Sequence, residues 1–149
     1  MCLITKTRTP KRAKKDIICY KVLRTYTYSD GTEEIDTPYQ FATIPKDVIN
    51  GEKPFIAKTD EGDTVTEKRF ERCAGYYDGF SAVNGCAIHT FATKIDAQAE
   101  VDSLKTYFGA KTIIYKCIIP KDTLYYEGDF EGKKSFASHK IVFKKKVTA

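Results

Sequence analysis

The sequence predicts an α+β domain, a mostly antiparallel, twisted sheet with one main helix (about residues 94–108) packed on one face. Short segments rich in β-branched and aromatic residues, separated by turn residues, recur along the chain and are typical of strands. A single segment carries apolar residues at helical spacing. The 149 residues, 42% hydrophobic and 30% charged, suit one globular domain with its own core. We expect a basic N-terminal arm, residues 1–15, followed by a single α+β domain, residues 16–149.

The domain is predicted to begin with a β-hairpin. Residues 16–28 are rich in strand-forming residues, and Asp30-Gly31 predicts a type I′ hairpin turn, in which both central residues need positive φ. The acidic segment after the turn forms the return strand. Residues 39–44 alternate as a further strand, whereas residues 45–72 hold several Pro and Gly breakers and favour an insertion or mobile loop.

Further strands are predicted in the second half of the chain. Asn84-Gly85 indicates another hairpin, because it separates two strand-like segments at residues 80–83 and 86–91. The segment 112–119 is apolar on both pleat faces, which is typical of a central strand. Two short final strands are expected at residues 124–126 and 141–143.

The main helix is predicted from its periodicity and its end signals. Thr93 can cap the N-terminus, and Gly109 supplies the residue that ends the helix. Apolar residues recur at spacings of four, three and four on one face: Ala97, Val101, Leu104 and Phe108.

The net charge of +5 is unevenly distributed along the chain. Residues 6–15 and 132–149 each hold six basic residues and no acidic one. The other 13 basic residues are outnumbered by all 20 acidic residues within residues 16–131, which gives the middle a net charge of −7. Basic ends favour an anionic partner, nucleic acid included, or simply keep a protein soluble. The candidate anion-binding residues are Lys11, Arg12, Lys14, Lys15, Lys144, Lys145 and Lys146.

Five cysteines are scattered and never spaced C-x-x-C. A secreted disulfide framework is normally even in number and denser, and zinc needs about four ligands in close pairs. The longest apolar runs are far shorter than the roughly 20 residues of a membrane span. No phosphate-binding loop or dinucleotide motif occurs. We therefore expect a reduced cytoplasmic protein with no metal, no cofactor and no membrane segment.

Two histidines are the candidate catalytic residues. His89 and His139 each lie in a strand-like segment, and two strand histidines in one cleft could act as general acid and base on a phosphodiester. The pattern is similar to that of 2H phosphoesterases, which carry a Thr or Ser two residues after each histidine. Phe91 and Ile141 stand there instead, and alternation favours a core or edge histidine.

Ten tyrosines occur without any tryptophan. Two adjacent pairs, Tyr76-Tyr77 and Tyr125-Tyr126, are the candidate ligand- or partner-binding residues, because aromatic rings stack on bases and ligands. On a strand, successive side chains point to opposite faces, so each pair offers at most one ring to a ligand.

Two parts of the chain resemble small uncharacterised proteins carried by gut Bacteroides-type bacteria and their phages. They are the opening Met1-Cys-Leu with residues 13–23, and residues 85–91 with residues 116–128. The resemblance covers about half of the chain. It implies no activity, so no functional residue follows from it.

A second resemblance is to the ADP-ribosyltransferase-like fold. Tyr20-Lys21 stands where that fold has Tyr-Arg or His on an early strand, and Phe80-Ser81-Ala82 stands near its Ser-Thr-Ser segment. The Glu of the last strand is missing, and residues 137–140 read Ala-Ser-His-Lys there. The transfer chemistry of that fold depends on this acid.

The expected function is that of a small intracellular, non-enzymatic binding protein, encoded by a phage or mobile element, that recognises a host protein or an anionic ligand. The main alternative is a nucleotide- or phosphodiester-directed enzyme that uses His89 and His139. A third hypothesis is nucleic-acid binding through the basic termini.

Overall fold

The computed structural model describes residues 2–5, 7–38, 43–77, 80–84, 86–108 and 111–147. These residues form three helices and twelve strands. The helices are α1 (Lys46–Ile49), α2 (Glu67–Phe70) and α3 (Lys94–Phe108). The strands are β1 (Cys2–Thr5), β2 (Lys11–Arg12), β3 (Ile17–Thr27), β4 (Glu33–Asp36), β5 (Phe55–Ile56), β6 (Ala74–Tyr77), β7 (Phe80–Asn84), β8 (Ile88–Phe91), β9 (Lys111–Ile119), β10 (Leu124–Phe130), β11 (Lys133–Ser138) and β12 (Lys140–Val147).

All strands pair antiparallel in one sheet, with the order β5-β12-β9-β3-β8-β11-β10-β1-β7-β6. Only His139 separates β11 from β12 along the chain, yet three strands lie between them in the sheet. The sheet must therefore curl until its two halves meet at His139. The result is a half-barrel, in agreement with the predicted twisted antiparallel sheet.

The predicted first hairpin and central strand are present. β3 pairs with β4 across Asp30-Gly31, but the predicted type I′ turn is wrong, because only Gly31, with φ +88°, and not Asp30 has the positive φ that this turn needs at both central residues. Arg24 of β3 holds Asp36 of β4 through two hydrogen bonds of 2.9 and 2.7 Å. β9 lies between β12 and β3 and pairs with β3 over nine residues.

The helix α3 has the bounds that the sequence predicts. Thr93 accepts a hydrogen bond from the Asp96 amide and so caps the first turn. The buried face of α3, Ala97, Val101 and Leu104, packs on Val22 and Ile114 of the sheet. None of the helices in the described residues is long and apolar enough to cross a membrane.

The two four-residue helices make the prediction of a single main helix incomplete. Residues 45–72, expected to be an insertion or mobile loop, hold α1, β5 and α2 and supply core side chains. Val48, Phe55, Val65 and Phe70 are all buried. The breakers at 45–72 mark tight turns between these short elements, and apolar burial rather than local propensity orders the segment.

The second predicted hairpin is wrong. β7 pairs with β1 and β6, whereas β8 pairs with β11 and β3. Both edges of β7 are therefore occupied by other strands, and Asn84-Gly85 connects two strands that are not neighbours. Gly85 itself lies outside the described residues, as do residues 39–42 of the strand predicted at 39–44.

The described part of residues 1–15 is built into the sheet. β1 lies between β10 and β7, and Leu3 is fully buried. β2 pairs with the start of β10, and the Ala13 amide donates to the Thr123 carbonyl at 2.9 Å. This segment supplies an inner strand as well as basic charge.

Candidate functional site

The two histidines lie near one another in the sheet, but their rings have different surroundings. His89 of β8 stands opposite Ala137 of β11, and His139 follows two residues later at the bend into β12. The His139 ring packs on Phe70, with ring centroids 5.5 Å apart, and its Nε2 is hydrogen bonded to the Val65 carbonyl. Since a carbonyl only accepts, Nε2 carries the proton and donates it. His139 therefore ties the bend to the segment 45–72.

Both ring nitrogens of His89 are shielded from solvent, and neither has a hydrogen-bond partner among the residues that the structure describes. Burial, and then the positive charge of Lys21, lower the pKa of His89 to about 3. Among the described side chains, no carboxylate hydrogen bonds to either histidine. With its pKa lowered to about 3, His89 would be neutral near pH 7 and would not donate a proton there as a general acid.

Lys21 occupies a fork between β3 and β8. These strands share a single paired position, Tyr20 with Phe91, and then separate. Lys21 is 9% exposed and extends its ammonium across the gap to donate to the His89 carbonyl at 2.8 Å. Burial lowers the pKa of Lys21 to about 8. The lysine thus hydrogen bonds a backbone carbonyl where strand pairing stops.

Two thiols lie beside this lysine on the inner, buried side of the half-barrel. Cys19 of β3 stands directly opposite Cys117 of β9, and both are buried free cysteines. Burial raises the pKa of Cys19 to about 12 and also raises that of Cys117. Both are therefore protonated at neutral pH and act as small apolar side chains.

Of the two tyrosine pairs, the structure describes the side chains of only one, Tyr125-Tyr126, and places its two rings in different surroundings. Tyr126 is buried, and its hydroxyl donates to the Phe70 carbonyl at 3.0 Å, so it belongs to the core. Tyr125 is partly exposed and meets Phe136 edge to face at 6.0 Å. Tyr76 and Tyr77 lie in β6, but their side chains are outside the described residues.

The predicted anion-binding residues lie in two separate places. Lys11 and Arg12 form β2, and Arg12 donates to Glu67 at 2.9 Å and to the Asp122 carbonyl, so part of its charge is neutralised. Lys14 and Lys15 are exposed in the bend that follows. The remaining three, Lys144, Lys145 and Lys146, are exposed near the end of β12.

The register of β3, β9 and β12 assembles a surface that we call the outer basic face, on the side of the sheet that carries α3. Cross-strand partners project from the same face of a sheet, and so do residues two apart on one strand. One row contains Ile18, Ile118 and Val142, and the next contains Tyr20, Lys116 and Lys145. Ile18 is 52% exposed, and the two residues beside it are partly exposed. Lys140, two residues before Val142, lies on the same face.

The outer basic face has no negative charge among its strands. β3, β5, β9 and β12 contain no Asp or Glu. Lys116 stands directly opposite Lys145, and neither forms an ion pair with a described residue. Like charges at directly opposed positions destabilise a sheet by a few tenths of a kcal/mol to about 1 kcal/mol. An anionic partner placed between them would remove that repulsion.

Sequence reasoning missed part of this face. The lysine run near the C-terminus predicts Lys145 as an anion-binding residue, whereas no local motif marks Lys116 or Ile18. A usable signal was the absence of acidic residues from residues 17–27 and 111–119. That absence becomes a surface only once β3, β9 and β12 are known to be neighbours.

In comparisons with known proteins, no protein-family model, curated protein or solved structure matches the chain.

Proposed function

We propose that this chain is a small non-enzymatic binding protein that recognises an acidic protein partner through the outer basic face. The observation that carries the proposal is the pairing of Lys116 with Lys145 beside exposed Ile18, on strands that lack any acidic residue. Unpaired lysines attract carboxylates, and the adjoining isoleucines and valine offer apolar area to a partner's side chains.

The mixture of apolar and basic residues favours a protein over a nucleic acid. Interfaces with nucleic acids are more polar and far more positively charged than those with proteins. A row of Ile18, Ile118 and Val142 would gain little against phosphates, whereas it can bury apolar side chains of a protein. The resemblance to phage-borne proteins makes a protein of the bacterial host the expected class of partner, inside the cell.

The enzyme alternative gains no specific support from the placement of its residues. His139 donates a hydrogen bond from Nε2 to the Val65 carbonyl, and the pKa of His89 is lowered to about 3. Neither ring is presented together with a described carboxylate.

The proposal is tested with a fluorescein-labelled acidic peptide that contains Glu, Asp, Leu and Ile. Fluorescence anisotropy gives the Kd for the wild type and for the double variant Lys116→Glu, Lys145→Glu. Because the variant reverses both charges that face the partner, we expect the Kd to rise at least tenfold. An equally labelled DNA duplex is the second probe.

The matched control is the double variant Lys144→Glu, Lys146→Glu, which changes the net charge equally on the same strand. Binding that weakens only in the Lys116 and Lys145 variant supports the outer basic face. Equal weakening in both variants would mean that net charge alone attracts the peptide, and undetectable peptide binding would contradict the proposal. Tight binding of the duplex that depends on Lys144 and Lys146 would favour nucleic-acid recognition by the terminus.

A further inference from the structure

Cys73 and Cys86 are brought together at the ends of two paired strands. Cys73 precedes β6 directly, and Cys86 lies two residues beyond β7. The register pairs Ala74 with Val83, so the chain just before β6 lies alongside the chain just after β7. Thirteen positions apart in sequence, the two cysteines therefore meet at one end of this hairpin.

The contact between them is direct. The Cys73 thiol donates to the Cys86 carbonyl with a sulfur–oxygen distance of 3.4 Å. Burial is the main cause that raises the pKa of Cys73 to about 12. The negative charge of a Cys86 thiolate and a hydrogen bond with the Cys86 side chain contribute to the same rise. The Cys73 sulfur thus lies against Cys86, and the hydrogen bond between the two side chains makes the sulfurs neighbours, as the formation of a disulfide requires.

Accessibility distinguishes this pair from Cys19 and Cys117, which are the other neighbouring thiols among the described side chains. Cys73 and Cys86 are both partly exposed, whereas Cys19 and Cys117 are fully buried. Thiol–disulfide exchange requires that a small oxidant reach one sulfur. Only the first of these two pairs offers such access in the folded protein.

We propose that Cys73 and Cys86 form a dithiol modification site that a low-molecular-weight disulfide, such as oxidised glutathione, converts into an intramolecular disulfide. The site is separate from the outer basic face, and the proposal does not depend on the proposed function.

The reaction proceeds in two exchanges. One cysteine loses its proton and attacks a sulfur of the oxidant, so that a mixed disulfide forms and one small thiolate leaves and takes up a proton. The second cysteine then loses its proton and attacks the protein sulfur of the mixed disulfide, and the second small thiol leaves. Two protein thiols are oxidised to one disulfide, and one small disulfide is reduced to two thiols.

Because the hydrogen bond keeps the proton on Cys73, Cys86 is the sulfur that attacks first. The new bond closes a loop that contains the β6–β7 hairpin at the end of the sheet. Such a loop restricts the unfolded chain, and for about 15 residues the expected rise in Tm is about 5–10 °C.

The test uses the reduced full-length protein, incubated with oxidised glutathione under native conditions. Free thiols are blocked with N-ethylmaleimide, and disulfide-linked peptides are mapped by mass spectrometry. We expect one linkage, Cys73 to Cys86, and a higher Tm that reduction reverses. In Cys73→Ser the intramolecular bond should be lost, and a mixed disulfide with glutathione should persist on Cys86.

Three outcomes would overturn the proposal. The first is a linkage between Cys86 and Cys2, whose strand position pairs with Asn84. The second is a linkage between Cys19 and Cys117, which would show that oxidation proceeds through unfolding. The third is full N-ethylmaleimide labelling of Cys73 and Cys86 after incubation. Cys117→Ser serves as the matched control and should leave the Cys73–Cys86 linkage unchanged.

Discussion

Acid should destabilise this protein through His89. Its ring nitrogens are shielded from solvent and form no hydrogen bond with any described residue, and Lys21 places a positive charge nearby. The pKa is lowered from 6.5 to about 3 in the folded protein. In the unfolded chain the imidazole is solvated and takes up its proton near its ordinary value.

The direction in which stability changes with pH follows from the number of protons that each state binds. Between about pH 6.5 and 3 the unfolded state binds one more proton at this site than the folded state, so the free energy of unfolding falls as the pH falls. The slope approaches about 1.4 kcal/mol per pH unit, so the total loss in the free energy of unfolding between pH 6.5 and about 3 is at most about 5 kcal/mol. Above pH 6.5 the imidazole is neutral in both states and has no effect.

The assay is urea unfolding followed by circular dichroism at several pH values between about 7 and 4. Wild type is compared with His89→Leu, which removes the imidazole and its two unpartnered nitrogens. Because both proteins share all carboxyl groups, the difference between their unfolding free energies isolates His89. We expect that difference to favour the variant increasingly as the pH falls. A difference that stays constant from pH 7 to pH 4 would refute the shielding of this ring.

Three further predictions concern other buried groups. In the wild type the free energy of unfolding should rise between about pH 8 and 10.5, because over that range the Lys21 ammonium stays protonated only in the unfolded state. We expect Lys21→Met to lose this rise, which urea unfolding at alkaline pH measures. The same pH dependence in the variant and the wild type would contradict the burial of Lys21. Gly128→Ala should cost at least about 3 kcal/mol in thermal unfolding, because its Cβ would lie 2.1 Å from a backbone oxygen of β1. The control Gly132→Ala meets only its own positive φ of +82° and should cost about 1–2 kcal/mol; equal costs would argue against the close approach at Gly128. Phe70→Ala should lower the free energy of unfolding by about 3–5 kcal/mol in chemical denaturation, whereas the control Lys68→Ala, at an exposed residue, should lower it by about 0.5 kcal/mol or less. Similar small losses for both variants would support the original prediction that residues 45–72 form a mobile loop.

The candidate site depended on information of two kinds. The lysine run that contains Lys145 was visible in the sequence, because a charge cluster needs no fold to be seen. Lys116 was not, because it lies 29 positions away and comes next to Lys145 only through the β9–β12 register and its irregularity after Phe143. The sequence likewise could not show which tyrosine of the pair Tyr125-Tyr126 is buried. Tyr126 is buried because Phe70, which is distant in sequence, packs against its ring.

Local signals in the sequence determined the elements whose structure depends on near neighbours. The helix at residues 94–108 follows from a cap and a periodic face, and the β3–β4 hairpin follows from Asp30-Gly31, because each involves contacts within a few residues; the predicted stop residue Gly109 lies outside the described residues. Tertiary structure decided which strands are neighbours. Asn84-Gly85 carries the same turn signal, but β7 pairs with the preceding strand β6 on one edge and with the distant strand β1 on the other, so both of its edges are occupied by strands other than β8. The curl of the sheet at His139 and the outer basic face arise in the same way, since both depend on contacts between residues far apart in the chain.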